Sequence, residues 1–135
     1  MDIDDIPESH RDLLQADVAT LATIGPDGRP QLSAVWFLVG SDSVALSLNS
    51  TRQKVSNLRA NPAVNLFILD RERPSRYLEI RGDAELAEDS DYSFAQQVGA
   101  KYGADLREYD GPDATRLVVT IRPTRINAVD MEAGN

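Results

Sequence analysis

The sequence predicts a mainly β protein, an antiparallel barrel decorated by about three short helices, and three observations carry that expectation. Seven stretches are rich in β-branched and apolar residues, and several alternate strictly between apolar and polar. Their links are mostly hairpin-like, which argues against a βαβ sheet. Three further stretches carry helix signals of capping residues or a three-to-four-residue period. The length of 135 residues fits one domain over 1–135 with flexible ends at 1–7 and 131–135, and such a chain buries roughly two-thirds of its unfolded surface without metal or disulfide support.

Taken in order, Pro7, Ser9 and Asp12 ahead of Leu13-Leu14 suggest a first helix that ends near Asp17. Val18 to Ile24 and Gln31 to Val39 are strands joined by the turn Pro26-Asp27-Gly28. In Val44 to Asn49 the residues Val44, Leu46 and Leu48 share one face, and Ala45, Ser47 and Asn49 the other. Ser50 to Asn61 changes period: Val55 and Leu58 fall on one helical face, Ser50 or Thr51 can cap the start, and Asn61-Pro62 stops it. Ala63 to Leu69 and Arg76 to Leu86 are strands again, the second with Leu78, Ile80, Gly82 and Ala84 opposite Tyr77, Glu79 and Arg81. Ser90 or Asp91 caps a third helix that carries Phe94, Val98 and Tyr102 on one face and closes at Gly103. Leu117 to Ile121 and Ile126 to Val129 complete the set as two strands separated by Arg122-Pro123-Thr124. Trp36, the sole tryptophan, reads as core, and His10 as an exposed helix residue.

Composition narrows the chemistry. The chain has no cysteine and one histidine, so thiol nucleophiles, Cys-ligated metals and a His-rich metal site are all disfavoured. With 14 Lys and Arg against 22 Asp and Glu the net charge is −8, which opposes binding to the nucleic-acid backbone. No run approaches the ~20 apolar residues of a membrane span, and the first residues are acidic where a signal peptide is basic, so the expected compartment is the cytoplasm. No side chain stands out as a catalytic acid, base or nucleophile. A bound cofactor is therefore the expected carrier of any reaction.

The segment Asn49 to Lys54 is the best candidate site. A strand runs straight into a helix there, so free backbone N–H groups meet Ser50, Thr51, Arg52 and Lys54, and dipole, hydroxyls and two cations can converge on one anion such as a phosphate. The same pattern also suits an ordinary helix cap with Arg52 and Lys54 pointing into solvent. Gln31 and Ser33 are two apart and share a strand face, as do Ser47 and Asn49.

Several segments together resemble the split β-barrel flavin and deazaflavin oxidoreductases, the pyridoxamine 5'-phosphate oxidase-like family, and in particular its F420-dependent branch. They are Ala19-Thr20-Leu21-Ala22-Thr23, Asp27 to Ser33, Val35-Trp36-Phe37, Ser50 to Arg59 before Asn61-Pro62, Arg76 to Gly82, and Ile121 to Ile126. Their order and spacing cover nearly the whole chain. The resemblance implies a homodimer with the cofactor in a groove at the subunit interface. It implies that Arg52 and Lys54 hold the cofactor phosphate with help from Ser47, Asn49 and Ser50, that Gln31 and Ser33 line the ring, and that Tyr77 arrives from the partner. The implied activity is hydride transfer between coenzyme F420 and a small organic substrate; FMN in the same site, or a carrier that binds F420 or a flavin without turnover, are the alternatives. Two departures stand against it: Ala34 follows Ser33 where some relatives are polar, and beyond Arg59 no further cation answers the carboxylates of an F420 tail.

Overall fold

The computed structural model describes residues 1–133. One antiparallel sheet holds seven strands: β1 (Ala19–Ile24), β2 (Pro30–Val35), β3 (Leu38–Val39), β4 (Val44–Asn49), β5 (Ala63–Leu69), β6 (Arg76–Glu88) and β7 (Arg116–Asp130). The α-helices are α1 (Gln53–Ala60) and α2 (Ser93–Tyr102), and the first helical segment, Glu8–Gln15, is a 3-10 helix.

Strand order dictates the shape. The sheet reads β2-β1-β5-β6-β7-β4-β3, so β2 and β3 are its two edges although they are neighbours in the chain. Flat, those edges would stand about 29 Å apart at ~4.8 Å per strand. The two linking residues, Trp36 and Phe37, can span only about 11 Å between Val35 and Leu38. The sheet must therefore curl until its edges approach, and it stops short of pairing them, which leaves a half-barrel with a split between β2 and the β3–β4 side. The inward faces fill it: Leu21, Phe37, Leu46, Leu66, Ile68, Leu78, Ile80, Val119 and Ile121 are fully buried. Their alternation with partly buried or exposed neighbours along β4, β5 and β6 is the pattern expected of a sheet with one face on the core.

Helix α1 packs against β1. Val55 and Leu58 are buried as their spacing predicts, and on the adjoining face Asn57 Nδ2 donates to Thr23 Oγ1 at 3.0 Å and to Gln31 Oε1 at 2.9 Å. Helix α2 ends at Gly103, whose φ of 66° is the left-handed C-cap conformation that glycine adopts without strain. Its start is capped differently from the expectation: the buried Asp89 carboxylate accepts from the N–H groups of Phe94 and Ala95, while Asp91 accepts from Ser93.

Four sequence expectations are corrected. The run Gln31 to Val39 is two strands, because Trp36 and Phe37 carry the chain from one sheet edge to the other. Leu117 to Val129 is a single strand within β7: Pro123 lies opposite Gly82 at a bulge, past the end of β4's pairing at Ile121, where no partner needs its missing N–H. At that bulge a Cβ on Gly82 would lie 2.2 Å from the Arg122 carbonyl oxygen, so only glycine lets the strands meet. His10 is buried, 3% exposed, with Nε2 donating to Val129 O at 2.9 Å and Nδ1 within 2.8 Å of Ser9 Oγ. Residues 1–7 dock onto the barrel through Ile3 and Ile6, which belong to the main core. Met131–Ala133 forms a 3-10 turn, whereas 134–135 of the expected loose tail lie outside the described residues. Among the described residues no helix is long and apolar enough to cross a membrane.

Candidate functional site

The split in the barrel is a cleft of about 370 Å³. One wall is the end of β2 and the link beyond it (Ala34 to Trp36), the facing wall is Ser47 to Asn49 of β4 with Thr51, Arg52 and Lys54 at the head of α1, and Val98, Leu106, Tyr109 and Arg116 close the third side. The strand-to-helix junction singled out from the sequence thus lines a cavity.

Lys54 defines the cationic end. It is only 6% exposed, and among the described residues its Nζ has one protein partner, donating to Ser33 Oγ at 3.2 Å. Among the described residues no carboxylate pairs with it or with Arg52. Burial, and then the charge of Arg52, push the Lys54 pKa below the ordinary lysine value. Two cations at a helix N-terminus also oppose the helix dipole, and α1 has no acidic residue in its first turn. Thr51 and Ser50 do not cap the helix; Asn49 Oδ1 instead accepts from Thr51 N at 2.9 Å and from Thr51 Oγ1 at 2.7 Å. In the same wall, Ser47 Oγ is buried without a hydrogen-bond partner among the described residues. Uncompensated buried positive charge, an unfavourable dipole and an orphaned hydroxyl form a donor set that a bound anion would complete, and a phosphate fits it.

The structure brings together Ser33, Ser47, Asn49, Arg52 and Lys54, and sets three sequence candidates elsewhere. Gln31 is engaged by Asn57, outside the cleft wall. Ser50 Oγ accepts from Thr115 N at 2.9 Å, which fastens the turn to the start of β7. Tyr77 lies on the outer face of the sheet, its ring 5.0 Å from that of Phe67. Arg59 borders a separate depression with Glu88 and Thr115.

Three residues that line the cleft, Trp36, Tyr109 and Arg116, were not assigned to it from the sequence. Trp36, expected in the core, is 37% exposed and stacks on Tyr102 at 4.3 Å and 5°. Tyr109, with its ring 6.5 Å from Trp36 and nearly perpendicular, is 64% exposed. Beside it Asp110 accepts from Asn49 Nδ2 and Tyr92 Oη, each at 2.7 Å, and forms a two-point ion pair with the buried Arg116. Burial disfavours the Asp110 carboxylate, but its bonds from Tyr92, Arg116 and Asn49 outweigh that and hold its pKa below the usual aspartate value. The signal for Trp36 was its place in an apolar run too long for one strand.

The family model for pyridoxamine 5'-phosphate oxidase matches residues 6–130. The chain belongs to that family. Among solved structures, one named F420 reductase is similar at 35% identity and a TM-score of 0.80, covering 90% of this chain and 98% of its own. A conserved hypothetical protein of Mycobacterium tuberculosis is similar at 26% identity, TM-score 0.73, with 93% of this chain and 85% of its own covered. A putative pyridoxamine 5'-phosphate oxidase of Listeria innocua shares the fold at 22% identity and TM-score 0.66, covering 87% of this chain and 92% of its own. No curated protein matches significantly. The half-barrel expected from the resemblance is thus a fold that the pyridoxamine 5'-phosphate oxidase family shares with these neighbours.

Proposed function

We propose that this protein is an oxidoreductase that binds coenzyme F420 through its phosphate at Arg52, Lys54 and the N-terminus of α1, and that FMN is the alternative occupant. The observation that carries the reading is the buried, carboxylate-free Lys54 at the head of α1; similarity to the structure named F420 reductase favours the deazaflavin. When bound, such a cofactor supplies hydride chemistry that no side chain here offers. The chain's own residues do the rest: Lys54 and Arg52 neutralise the phosphate, Ser47 Oγ gains the partner it lacks, Ser33 holds the Lys54 ammonium in place, and the β2 and β4 walls exclude water from the space between them.

We further propose a homodimer. Leu32 is 66% exposed on the outer face of β2, and Leu69 and the Phe67–Tyr77 pair lie on the outer faces of β5 and β6. That sheet face suits a second copy, which would bring Tyr77 to the partner's cleft. Fluorescence titration with F420 beside FMN tests the cofactor reading, and light scattering tests the dimer. Tighter F420 binding supports the proposal; tighter FMN binding, with a yellow protein that survives desalting, assigns the alternative; binding of neither refutes the site. Turnover of reduced F420 with quinone or enone acceptors separates an enzyme from a carrier.

A further inference from the structure

The two walls of the cleft share no ladder hydrogen bonds. Among the described strands β2 pairs with β1 alone and β3 with β4 alone, so the split is held by whatever else crosses it. Helix α2 crosses it. Its body packs against β4 and β7, on the far wall, while the side chains of its last turn reach the near one. There Lys101 Nζ donates to Phe37 O at 2.9 Å and to Ala16 O at 3.0 Å, and Tyr102 Oη accepts from Phe37 N at 3.1 Å. Phe37 belongs to the link that leaves β2, and Ala16 stands just ahead of β1, the strand with which β2 pairs. Both polar backbone groups of Phe37 thus end on α2 side chains, where a residue inside a strand would use a neighbouring strand.

The charge of Lys101 is met differently from that of other sheltered cations. Arg76 and Arg116 each meet carboxylates, whereas among the described residues none pairs with Lys101. Its ammonium is held by the two carbonyls and by two ring faces, with Nζ 4.0 Å from the centre of Phe37 and 4.9 Å from that of Tyr102. It also stands in the last turn of α2, where the helix dipole favours a cation. A carboxylate could neutralise this charge from any nearby segment; carbonyls and rings hold it only where these pieces of chain meet. Charged donors make the stronger hydrogen bonds, so the link resists displacement more than it would against a neutral donor. Trp36, next along the link, stacks on Tyr102 at 4.3 Å and lines the cleft, so a shift of the link is a shift of the wall.

We infer that Lys101 is a positioning residue: its ammonium, with Tyr102 Oη beside it, clamps the β1–β2 side of the split to α2 and so sets the width of the cleft. The inference rests on the proposed cofactor reading for what the cleft holds, but not for the clamp. Trp36, the sole tryptophan, reports on it. Fluorescence quenching by acrylamide, a neutral probe indifferent to the charge removed, is compared in cofactor-free parent, Lys101→Met and Tyr102→Phe at a temperature where each is folded. Lys101→Met is expected to steepen the quenching and to weaken F420 or FMN binding about threefold to tenfold, the scale of one lost hydrogen bond. Tyr102→Phe keeps the ring stack, loses only the hydroxyl and moves both readouts in the same direction; it decides the matter if Lys101→Met does not fold. Gly82→Ala, at the bulge between β6 and β7, is the control for general loosening and keeps the parent's quenching slope. Parent-like quenching in the clamp variants, an equal rise in Gly82→Ala, or an unchanged cofactor Kd in a variant whose Trp36 has loosened overturns the clamp. A parent that binds neither F420 nor FMN removes the cofactor reading, and the quenching comparison alone then decides the clamp.

Discussion

Replacing Lys54 with methionine makes the protein more stable and a poorer cofactor binder at the same time. The side chain is 6% exposed and, among the described residues, makes a single hydrogen bond of 3.2 Å to the half-exposed Ser33 and meets no carboxylate. Methionine has nearly the same length and no charge to desolvate, and Ser33 can turn to water. Removing a buried, poorly compensated polar group is worth about 1–2 kcal/mol, or roughly 3–8 °C in Tm for a chain of this size. The same change deletes a charge-assisted contact to the cofactor phosphate worth about 1.5–3 kcal/mol, or roughly tenfold to a hundredfold in Kd. Thermal unfolding measures the first effect and F420 or FMN titration the second. A variant that melts lower than the parent while binding equally well would refute the reasoning, because Lys54 would then be a structural cation and the anion site would lie elsewhere.

Three other expectations follow from the geometry. Asp110→Asn leaves Arg116 buried without its counter-charge and costs about 3–5 kcal/mol, read by chemical denaturation; a loss below about 1 kcal/mol contradicts the buried pair. Gly82→Ala drives a Cβ against the Arg122 carbonyl and destabilises by about 1–3 kcal/mol, so an unchanged melting curve would show that the bulge can open. Cofactor affinity is greatest where Lys54 is protonated and falls as pH rises through its lowered pKa, with a midpoint below the ordinary lysine value of 10.5; titration of affinity against pH checks this, and Lys54→Arg, which stays charged, abolishes the fall.

Legibility in the sequence tracked the range of the interactions involved. Strand β4 could be read from Val44, Leu46 and Leu48, and α1 from Val55 and Leu58, because burial on one face imposes a local period. The phosphate-binding candidates Arg52 and Lys54 were legible for the same reason: a strand-to-helix junction is a local event. The break at Trp36 was not, since Val35, Trp36, Phe37 and Leu38 are uniformly apolar and only the distant pairing of β4 with β7 puts their two halves on opposite sheet edges. His10 reads as a surface residue until Val129, far along the chain, supplies its acceptor. The same holds for the Trp36–Tyr109 pair, where Tyr109 is brought to Trp36 by Asp110 contacts with Asn49, Tyr92 and Arg116 that no spacing announces.

Curling the sheet also orders events in time. β4 pairs along its length with β7, the last of the seven described strands in chain order, and otherwise only with the two-residue β3. During synthesis the hairpin of β1 and β2 can close early, but Val44, Leu46 and Leu48 wait for some seventy residues to follow before they are covered. Nascent chains of this protein therefore carry one apolar strand without its long partner while those residues are made, which makes β4 a segment on which a chaperone, or an aggregate, would first take hold.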